Sequence, residues 1–270
     1  MPPDLESVAA IIREIAEAEI LPRFQKLGSQ DIHEKSGPLD LVTIADTETE
    51  KALSKRLLAA YPGTLVLGEE AAAADPGILG ILSGETPVWV LDPVDGTLNF
   101  AQGRPDFAVI VAYVEHGRTI AGWIHSPLTG TTIQATRGQG AWSAGERLQV
   151  AMEQSLSVMT GSAYGSGSDG VYLSETLEAS GRIGRIDNRM CGAVEYIGLV
   201  RRQRHFLLSR NSLPWDHAAG ILIAEEAGAH AAFLDGSPYD PKIIDGRILV
   251  APGPAAWTAL QAEIRPLIGV

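Results

Sequence analysis

The segment LDPVDGT at residues 91–97 places two carboxylates three positions apart at the end of an apolar run. Asp92 ends a predicted strand, and Pro93 restricts the backbone so that the carbonyl of Val94 points in a set direction. Asp95 follows on the same side of the turn. Two carboxylates and a carbonyl are the hard oxygen ligands that Mg²⁺ binds in proteins. The same residues also fit an ordinary type I turn, so the segment alone leaves a metal site and a simple turn both open.

The last two residues of this segment have the properties of an anion site. Gly96 lets the backbone approach a ligand closely, because it carries no Cβ. Thr97 stands at a predicted helix N-terminus, where free N–H groups and the helix dipole attract negative charge. A phosphate held beside Mg²⁺ is therefore one hypothesis for the segment, and a helix cap without a ligand is the other.

Four other acidic residues and one lysine are candidates for the same site. They are Lys35, Asp46, Glu69, Glu70 and Asp216. The two glutamates follow a predicted strand, where exposed acids are common. The two aspartates stand at predicted helix starts, where aspartate is a preferred N-cap residue. The pattern alone therefore leaves open whether these side chains converge on one site.

Composition limits the classes of function. The chain has 270 residues, of which 45% are apolar and 20% charged, and these are ordinary values for a globular protein. The net charge of −12 argues against a nucleic-acid partner or an anionic membrane surface, since both favour clustered Lys and Arg. With Cys191 as the single cysteine, no intramolecular disulfide can form, and a cytoplasmic location is expected. The N-terminal residues are not expected to form a signal peptide, because Arg13 and Glu14 interrupt their apolar residues, and no uncharged apolar run has transmembrane length.

Hydrophobic periodicity predicts a mixed chain. Apolar residues at helical spacing predict an N-terminal helix from about Leu5 to Ile20. A second helix is predicted over Asp46–Ala60, with Thr47-x-x-Glu50 as its capping box. Further predicted elements are strands over Thr64–Gly68 and Pro87–Asp92, three strands between Phe107 and Thr136, and helices over Ala193–Arg201, Asp216–Ala227 and Pro254–Ile264.

These elements predict an α/β fold of the α+β type. Helices and an antiparallel sheet form an N-terminal part over residues 1–150, which carries most of the candidate ligands. An alternating α/β part over residues 151–270 carries Asp216 and the residues that set specificity. The glycine-rich stretch at residues 161–170 is the expected place of the change between the two parts. Both parts are expected to pack into a single compact catalytic unit.

The combined motifs resemble the inositol monophosphatase family of metal-dependent phosphatases. The matching motifs are DLVT-x-x-D at residues 40–46, GEE at 68–70, DPVDGT at 92–97 and WD at 215–216. Their order and spacing match throughout, and the similarity covers nearly the whole chain. The resemblance implies a layered αβαβα sandwich, the sugar-phosphatase fold, and metal-dependent hydrolysis of a phosphomonoester. It also implies that the protein forms a homodimer and that the molecule it binds is a small phosphorylated metabolite.

The resemblance assigns roles to individual residues. Those that match the family's metal ligands are Glu69, Asp92, the carbonyl of Val94, Asp95 and Asp216. Those that match its catalytic residues are Lys35, Asp46, Glu69 and Thr97. Those at its substrate-binding positions are Asp95, Gly96, Thr97, Gly192, Ala193, Ser209 and Asp216. Glu70 is a less certain member of the site, and the alternative is that its side chain faces outward.

The implied mechanism uses two or three Mg²⁺ ions and no covalent enzyme intermediate. One ion activates a water that Thr97, Asp46 and Glu69 align, and a second ion stabilises the leaving alkoxide. The expected substrate is a small sugar or polyol phosphate. The alternatives are a nucleotide 3′-phosphatase, a fructose-1,6-bisphosphatase or a histidinol-phosphatase of the same fold. A binding role in regulation is the alternative from a different class of function.

Two positions depart from the family pattern. Inositol-hydrolysing members have an acidic residue seven positions before the aspartate of the WD motif, and here that position is Ser209. The stretch that begins at Arg189 lacks the family's serine, because Met190 takes its place. A serine is a weaker, neutral hydrogen-bond partner for a polyol than a carboxylate is. The departures put myo-inositol 1-phosphate in doubt as the only substrate.

A basic stretch from Arg182 to Arg210 contains seven arginines in an otherwise acidic chain. A solvated surface or a dimer contact explains it without reference to the site. The alternative is that one or two of Arg189, Arg204 and Arg210 face the pocket and favour a second anionic group. Two neighbours of the motifs are expected to be structural: Cys191 as a small buried residue, and His217 as a helix-start residue that is not a metal ligand.

Overall fold

The computed structural model describes residues 2–37, 40–164 and 169–268. The helices in this part of the chain are α1 (Leu5–Ile15), α2 (Ile44–Ala60), α3 (Glu69–Ala74), α4 (Thr97–Ala101), α5 (Asp169–Ala179), α6 (Gly192–Val200), α7 (Pro214–Glu226) and α8 (Pro254–Ile268). The strands are β1 (Ile32–Gly37), β2 (Asp40–Thr43), β3 (Leu65–Gly68), β4 (Val88–Asp95), β5 (Ala108–Glu115), β6 (Arg118–Ser126), β7 (Thr131–Thr136), β8 (Ala141–Ser143), β9 (Glu146–Arg147), β10 (Thr160–Ala163), β11 (Arg185–Ile186), β12 (Phe206–Leu208), β13 (His230–Phe233) and β14 (Ile248–Ala251).

The larger sheet has seven strands in the order β3-β4-β5-β6-β7-β8-β9. Strand β3 runs parallel to β4, and the other pairs are antiparallel. The register between β4 and β5 shifts by one residue between Asp92 and Asp95. Pro93 has no N–H to give to a ladder, and a bulge is where a strand tolerates it. The bulge therefore lies within the candidate site.

The smaller sheet has five strands in the order β11-β10-β12-β14-β13. Strands β11, β10 and β12 are parallel, whereas β14 pairs antiparallel with β12 and β13. A separate antiparallel pair, β1 with β2, precedes α2.

Three apolar clusters join these elements into layers. The first packs α1 and α2 against one face of the larger sheet, through residues such as Ile12, Leu53 and Trp89. The second holds α6 and α7 between the two sheets, and the third packs α5 and α8 on the outer face of the smaller sheet. The order is helices, sheet, helices, sheet, helices. The predicted αβαβα sandwich is confirmed.

The change between the two sheets lies earlier than the sequence suggested. The seven-stranded sheet ends at Arg147, and Thr160 already begins β10 of the second sheet. The glycine-rich stretch therefore does not separate the sheets, because its first residues form a strand of the smaller one. Residues 165–168 of that stretch lie outside the described residues. The boundary predicted at residue 150 falls in the connection between the sheets.

The predicted capping box of α2 was wrong. The helix begins at Ile44, and its N-cap is Thr43, whose Oγ1 accepts from the N–H of Ala45 at 3.1 Å. The carboxylate of Asp46 accepts from the N–H of Thr43 at 2.8 Å and completes the box. Thr43 is the last residue of β2, so the chain leaves an extended conformation there, as an N-cap requires. Two consecutive Thr-x-x-acid patterns, at residues 43–46 and 47–50, exist in this part of the sequence, and the strand end selects the first.

The helix over residues 5–20 was predicted as one continuous element. In the structure α1 ends at Ile15, and a π-helical turn over Ala16–Ile20 continues it. Within the described ranges, none of the helices has both the length and the apolar character needed to cross a bilayer.

Candidate active site

The centre of the candidate site is the bulge at the end of β4. Asp92 is 2% exposed, and its Oδ1 accepts from the N–H of Val94 at 3.1 Å. Asp95 is the last residue of the strand, and Gly96 turns the chain into α4 with φ of +86°. A Cβ at Gly96 would lie 2.6 Å from the carbonyl oxygen of Asp106. Only glycine fits this turn, because the conformation is left-handed and the space is closed.

Helix α7 brings Asp216 to the same place. Asp216 lies in the first turn of this helix, which begins with Pro214, and it shares a hydrogen bond with Asp92. Burial raises the pKa of both groups well above the ordinary value, and the charges of Glu69 and Asp95 raise it further. In the described arrangement these carboxylates repel each other, and ionisation of all of them is unfavourable.

The start of α3 adds two glutamates, and Lys35 of β1 contacts both. Lys35 Nζ lies 2.8 Å from an oxygen of Glu69 and 2.7 Å from an oxygen of Glu70. Burial acts to lower the pKa of Lys35, but the two carboxylates outweigh it and raise that pKa overall. Burial raises the pKa of Glu70 to about 7, against the hydrogen bond from Lys35. Glu70 therefore belongs to the site, and its interpretation as an outward-facing acid was wrong.

Asp46 and Thr97 are joined by a hydrogen bond. Thr97 Oγ1 lies 3.1 Å from Asp46 Oδ1 and 3.0 Å from the carbonyl oxygen of Val94. The other oxygen of Asp46 accepts from both the N–H and the hydroxyl of Thr43, at 2.8 and 2.6 Å. Asp46 is fully buried, and burial raises its pKa to about 6, against the bonds from Thr43. Thr43 therefore fixes Asp46 so that its free oxygen faces Thr97.

Glu50 was predicted to cap its own helix, α2, and this prediction was wrong. Its carboxylate accepts from the N–H groups of Glu70 and Ala71, at 2.8 and 3.0 Å, so it caps α3 and not its own helix. Gly68 precedes α3, and a Cβ there would overlap the carboxylate of Glu50. The glycine of the GEE motif thus makes room for the acid that orients the two glutamates. The interaction spans 20 residues of sequence, and no local pattern signals it.

The start of α6 holds Asp95. Its Oδ2 accepts from the N–H of Ala193 and lies 3.2 Å from Cys191 Sγ. Burial raises the pKa of Asp95 to about 6, and the bonds from Ala193, Cys191 and Gly192 oppose that rise. Ala193 had been expected to contact substrate through its backbone, but its N–H is already used by Asp95. Cys191 is buried as expected, at 3% exposure.

Ser209 does not present a free hydroxyl. Its Oγ donates to the carbonyl of Asn211 at 2.7 Å and accepts from the N–H of Ile248 at 2.8 Å. It is 3% exposed, so it serves the backbone and is not available as a substrate contact in this conformation. His217 is also structural: its Nδ1 lies 3.0 Å from Tyr196 Oη, and burial lowers its pKa to about 4.

The three arginines of the basic stretch differ in their surroundings. Arg204 is 5% exposed and pairs with Asp187 and Glu195 at 3.0 and 2.7 Å, so the hypothesis that it faces the pocket was wrong. Arg189 is half-exposed and lies 3.2 Å from Asp187. Arg210 is exposed, and its charge lowers the pKa of Asp216 against burial and the neighbouring acids. Arg210 therefore acts electrostatically on the site.

The donor set fits a hard divalent cation. The clustered side chains are Glu69, Glu70, Asp92, Asp95 and Asp216, and all of their donors are oxygens. Lys35 forms ion pairs with the two glutamates of this cluster. Among the described residues no three acidic, histidine or cysteine side chains are already arranged to enclose an ion. The structure thus contains a carboxylate cluster with uncompensated charge, which a cation would relieve.

Known proteins share this sequence and architecture. A sequence model described as the inositol monophosphatase family matches residues 4–268. A fructose-1,6-bisphosphatase/inositol-1-monophosphatase of Thermotoga maritima is 32% identical over 208 residues, which cover 76% of each chain. A solved IMPase of Thermotoga maritima superposes with a TM-score of 0.82 at 26% identity and covers 98% of this chain and 96% of its own. An IMPase/NADP phosphatase complexed with Mg²⁺ and phosphate shares the fold, with a TM-score of 0.80 at 20% identity over 96% of this chain and 93% of its own.

The match of the family model over nearly the whole chain agrees with the αβαβα layers and with the carboxylate cluster at the end of β4. The chain belongs to the inositol monophosphatase family and is a phosphomonoester hydrolase.

Proposed function

We propose that this protein hydrolyses a small phosphorylated metabolite with Mg²⁺ bound among Glu69, Asp92, the carbonyl of Val94, Asp95 and Asp216. The observation that carries the proposal is the crowding of three buried aspartates, Asp92, Asp95 and Asp216, whose pKa values are raised by burial and by the neighbouring carboxylates. Such an arrangement is unfavourable unless a cation offsets it. We propose two or three ions, as the family resemblance implies. When bound, Mg²⁺ neutralises phosphate charge and lowers the pKa of water, which is the chemistry that hydrolysis needs.

Thr97 and Asp46 are proposed to orient and deprotonate the attacking water. The Thr97 hydroxyl donates toward Asp46 Oδ1 at 3.1 Å, so its lone pairs remain available to accept from a water. Asp46 then holds the proton that passes through this hydroxyl. With a pKa of about 6, Asp46 is ionised at neutral pH and can take that proton.

Lys35 and Glu70 are proposed to support Glu69. Lys35 bridges both glutamates, so it fixes the side chain of Glu69 that faces the cluster. Glu50 holds the first N–H groups of α3 and thereby fixes the backbone beneath them. The N-terminus of α4, at Gly96 and Thr97, is proposed as the phosphate contact, because backbone N–H groups at a helix start favour an anion.

Phosphate release from phosphomonoesters, measured in EDTA and with added Mg²⁺, tests the activity. We expect release only with Mg²⁺, and we expect substitution of Asp92 or Asp216 by asparagine to remove it. Glu146→Gln is the matched control, because this acid is exposed on β9, far along the sheet from β4. Metal-independent release by the wild type would contradict the proposal.

We further propose a substrate with a second anionic group. Ser209 stands where inositol-hydrolysing members have an acid, and its hydroxyl is committed to the backbone. Arg210 follows it, is exposed, and acts on Asp216 through its charge. A site mouth that has lost an acid and carries an arginine favours a phosphate or a carboxylate over a neutral polyol. The Thermotoga maritima relative, named for both a bisphosphate and a monophosphate substrate, agrees with this proposal.

The test compares kcat/KM for inositol 1-phosphate, fructose 1,6-bisphosphate and a nucleotide 3′-phosphate. Arg210→Ala should lower the value for the doubly anionic substrates by about 10- to 100-fold, the cost of one charged hydrogen bond, and change that for inositol 1-phosphate much less. Arg202→Ala is the matched control, because Arg202 is exposed and bonded to Gln149 at 2.7 Å. Equal effects of Arg210→Ala on all three substrates would contradict the specificity, but not the phosphatase activity.

A cytoplasmic homodimer is proposed on less direct grounds. A reducing compartment suits a chain whose single cysteine, Cys191, is buried and free. The dimer rests on the family resemblance alone. Sedimentation velocity at micromolar concentration would test it, and a single species at the monomer mass of 28.7 kDa would contradict it.

A further inference from the structure

A buried charge network lies behind the segment that contacts Asp95. Glu195 is fully buried in the first turn of α6, where it accepts three hydrogen bonds and forms one ion pair. The hydrogen bonds come from the hydroxyls of Ser162 and Tyr164 and from the backbone N–H of Arg189, and the ion pair is with the guanidinium of Arg204 at 2.7 Å. The pair Glu195–Arg204 is a poor source of stability, since removing two charges from water offsets their attraction. Its position suggests a different role.

The network holds residues 187–191, which lead into α6. The guanidinium of Arg204 bonds both the carbonyl and the carboxylate of Asp187, the latter at 3.0 Å. Glu195 accepts from the N–H of Arg189 at 2.8 Å, and Tyr164 Oη accepts from the N–H of Met190 at 2.8 Å. Three residues of the segment are therefore tied to the buried pair: Asp187 and Arg189 directly, and Met190 through Tyr164.

The same segment is held from the side of the active site. Asn99, in α4, donates to the carbonyl of Asp106 at 2.9 Å and to the carbonyl of Arg189 at 3.0 Å. Met190 adopts φ of +57°, a left-handed conformation that a methionine takes only when its surroundings impose it. The turn at Met190 directs the thiol of Cys191 and the N–H of Ala193 to one oxygen of Asp95.

We propose that Glu195 and Arg204 are positioning residues for the active site: the buried pair fixes the 187–193 segment so that its end orients the carboxylate of Asp95. This inference rests on the proposed metal role of Asp95. Neither residue touches the cluster itself, and their effect passes through the backbone of the segment. Groups that orient a metal ligand in this way typically change metal affinity by about 10- to 100-fold when they are altered.

Cys191 provides a local reporter, because it is the single cysteine of the chain and is 3% exposed. Its modification by a thiol reagent is measured in metal-free protein under native conditions, together with calorimetric titration of Mn²⁺. The variants are Glu195→Gln, Arg204→Met and Tyr164→Phe. The last removes only one hydroxyl, so it retains the fold if the two charge variants unfold. The matched control is Arg182→Met, which breaks an exposed ion pair with Glu263.

In all three folded variants we expect the thiol reagent to modify Cys191 at least about 10-fold faster than in the wild type. We also expect them to bind Mn²⁺ about 10- to 100-fold more weakly, with Tyr164→Phe showing the smallest effect. Arg182→Met should match the wild type in both. A fall in melting temperature with unchanged Cys191 protection and Mn²⁺ affinity would overturn the inference, because the pair would then serve stability alone. If the wild type binds no Mn²⁺, the proposed function fails. If the wild type binds Mn²⁺ and the variants equal it in both Mn²⁺ affinity and Cys191 protection, only this inference fails.

Discussion

Replacing Asp92 with asparagine is expected to remove activity and, in metal-free protein at pH 8, to raise the stability of the fold. Asp92 is 2% exposed, and the charges of Glu69, Asp95 and Asp216 oppose its ionisation. An asparagine has nearly the same shape. Its oxygen can accept from the N–H of Val94, as Asp92 does at 3.1 Å, and its NH₂ can donate to Asp216. The variant therefore retains the hydrogen bonds and loses only a repelling charge.

The pKa of the neighbouring Asp95 gives the size of the expected gain in unfolding free energy. Asp95 has its pKa raised from 3.8 to about 6, and each pKa unit corresponds to 1.36 kcal/mol, so its ionisation costs the folded protein about 3 kcal/mol at pH 8. The pKa of Asp92 is also raised well above its ordinary value, by burial first and then by the neighbouring acids, so a neutral side chain there removes a cost of the same order, and we expect a gain of about 1–3 kcal/mol. For a chain of this size that corresponds to roughly 2–10 °C in melting temperature. The carboxylate at position 92 would thus lower the free energy of unfolding below the value that a neutral side chain allows.

The assay is thermal unfolding, followed by circular dichroism in EDTA at pH 8 and again with excess Mg²⁺. The order of stability should reverse, because Mg²⁺ should stabilise the wild type by binding its folded state, and the variant lacks one of the proposed ligands. Glu146→Gln, an exposed acid on β9, should change stability by less than about 0.5 kcal/mol in both conditions. An Asp92→Asn protein that melts below the wild type in EDTA would refute the view that the cluster is electrostatically strained.

Two further predictions follow from the same site. Thr97→Ala should lower kcat by about 10²-fold or more while KM changes little, because its hydroxyl orients water at the transition state; steady-state kinetics in which KM alone rises would reassign it to phosphate binding. In EDTA, the free energy of unfolding should fall as pH rises from about 4 to 7, because Asp46 and Asp95, with pKa values of about 6, and Glu70, at about 7, bind protons more tightly when folded than unfolded. Their contribution is present in full below about pH 4 and is lost above pH 7; urea titrations at pH 5 and pH 8 that give equal stability would contradict it.

The parts of the site that could be predicted from sequence are those that lie on one short segment. The glycine at 96 and the helix start at Thr97 follow from residue types in order, whereas the strand was expected to end at Asp92 and instead continues through a bulge to Asp95. The place of Asp216 in the first turn of a helix also followed from local pattern, whereas its convergence with Asp92 was implied only by the family resemblance. Strand and helix positions followed from periodicity, with most ends in error by three residues or fewer, but α1 ends five residues earlier and α8 four residues later than predicted. Helix and strand ends depend on tertiary contacts as well as on local pattern.

The parts that could not be predicted are contacts between distant segments. Arg204 and Glu195 have charges that suggest a pocket or a surface in the sequence, yet they form a buried pair. Ser209 has the type of a polar substrate contact, yet Ile248, on a neighbouring strand, uses its hydroxyl. A side chain's type states what bonds it can make, and only the fold decides which partner is present.

Glu50 shows how far one such error extends. Its pattern with Thr47 satisfies the local rule for a capping box, and Asp46 with Thr43 satisfies the same rule one turn earlier. Since a helix has one N-terminus, the second acid is left for another partner, and it caps α3 at residues 70 and 71. Gly68 then has a packing reason, because any side chain would meet the carboxylate of Glu50. The glycine and the two glutamates of the GEE motif are therefore not three independent signals. Gly68 leaves room for the carboxylate of Glu50, which binds the first N–H groups of α3 and so orients the two glutamates. A substitution at Glu50 should therefore disturb Glu69 although Glu50 is not itself a proposed metal ligand.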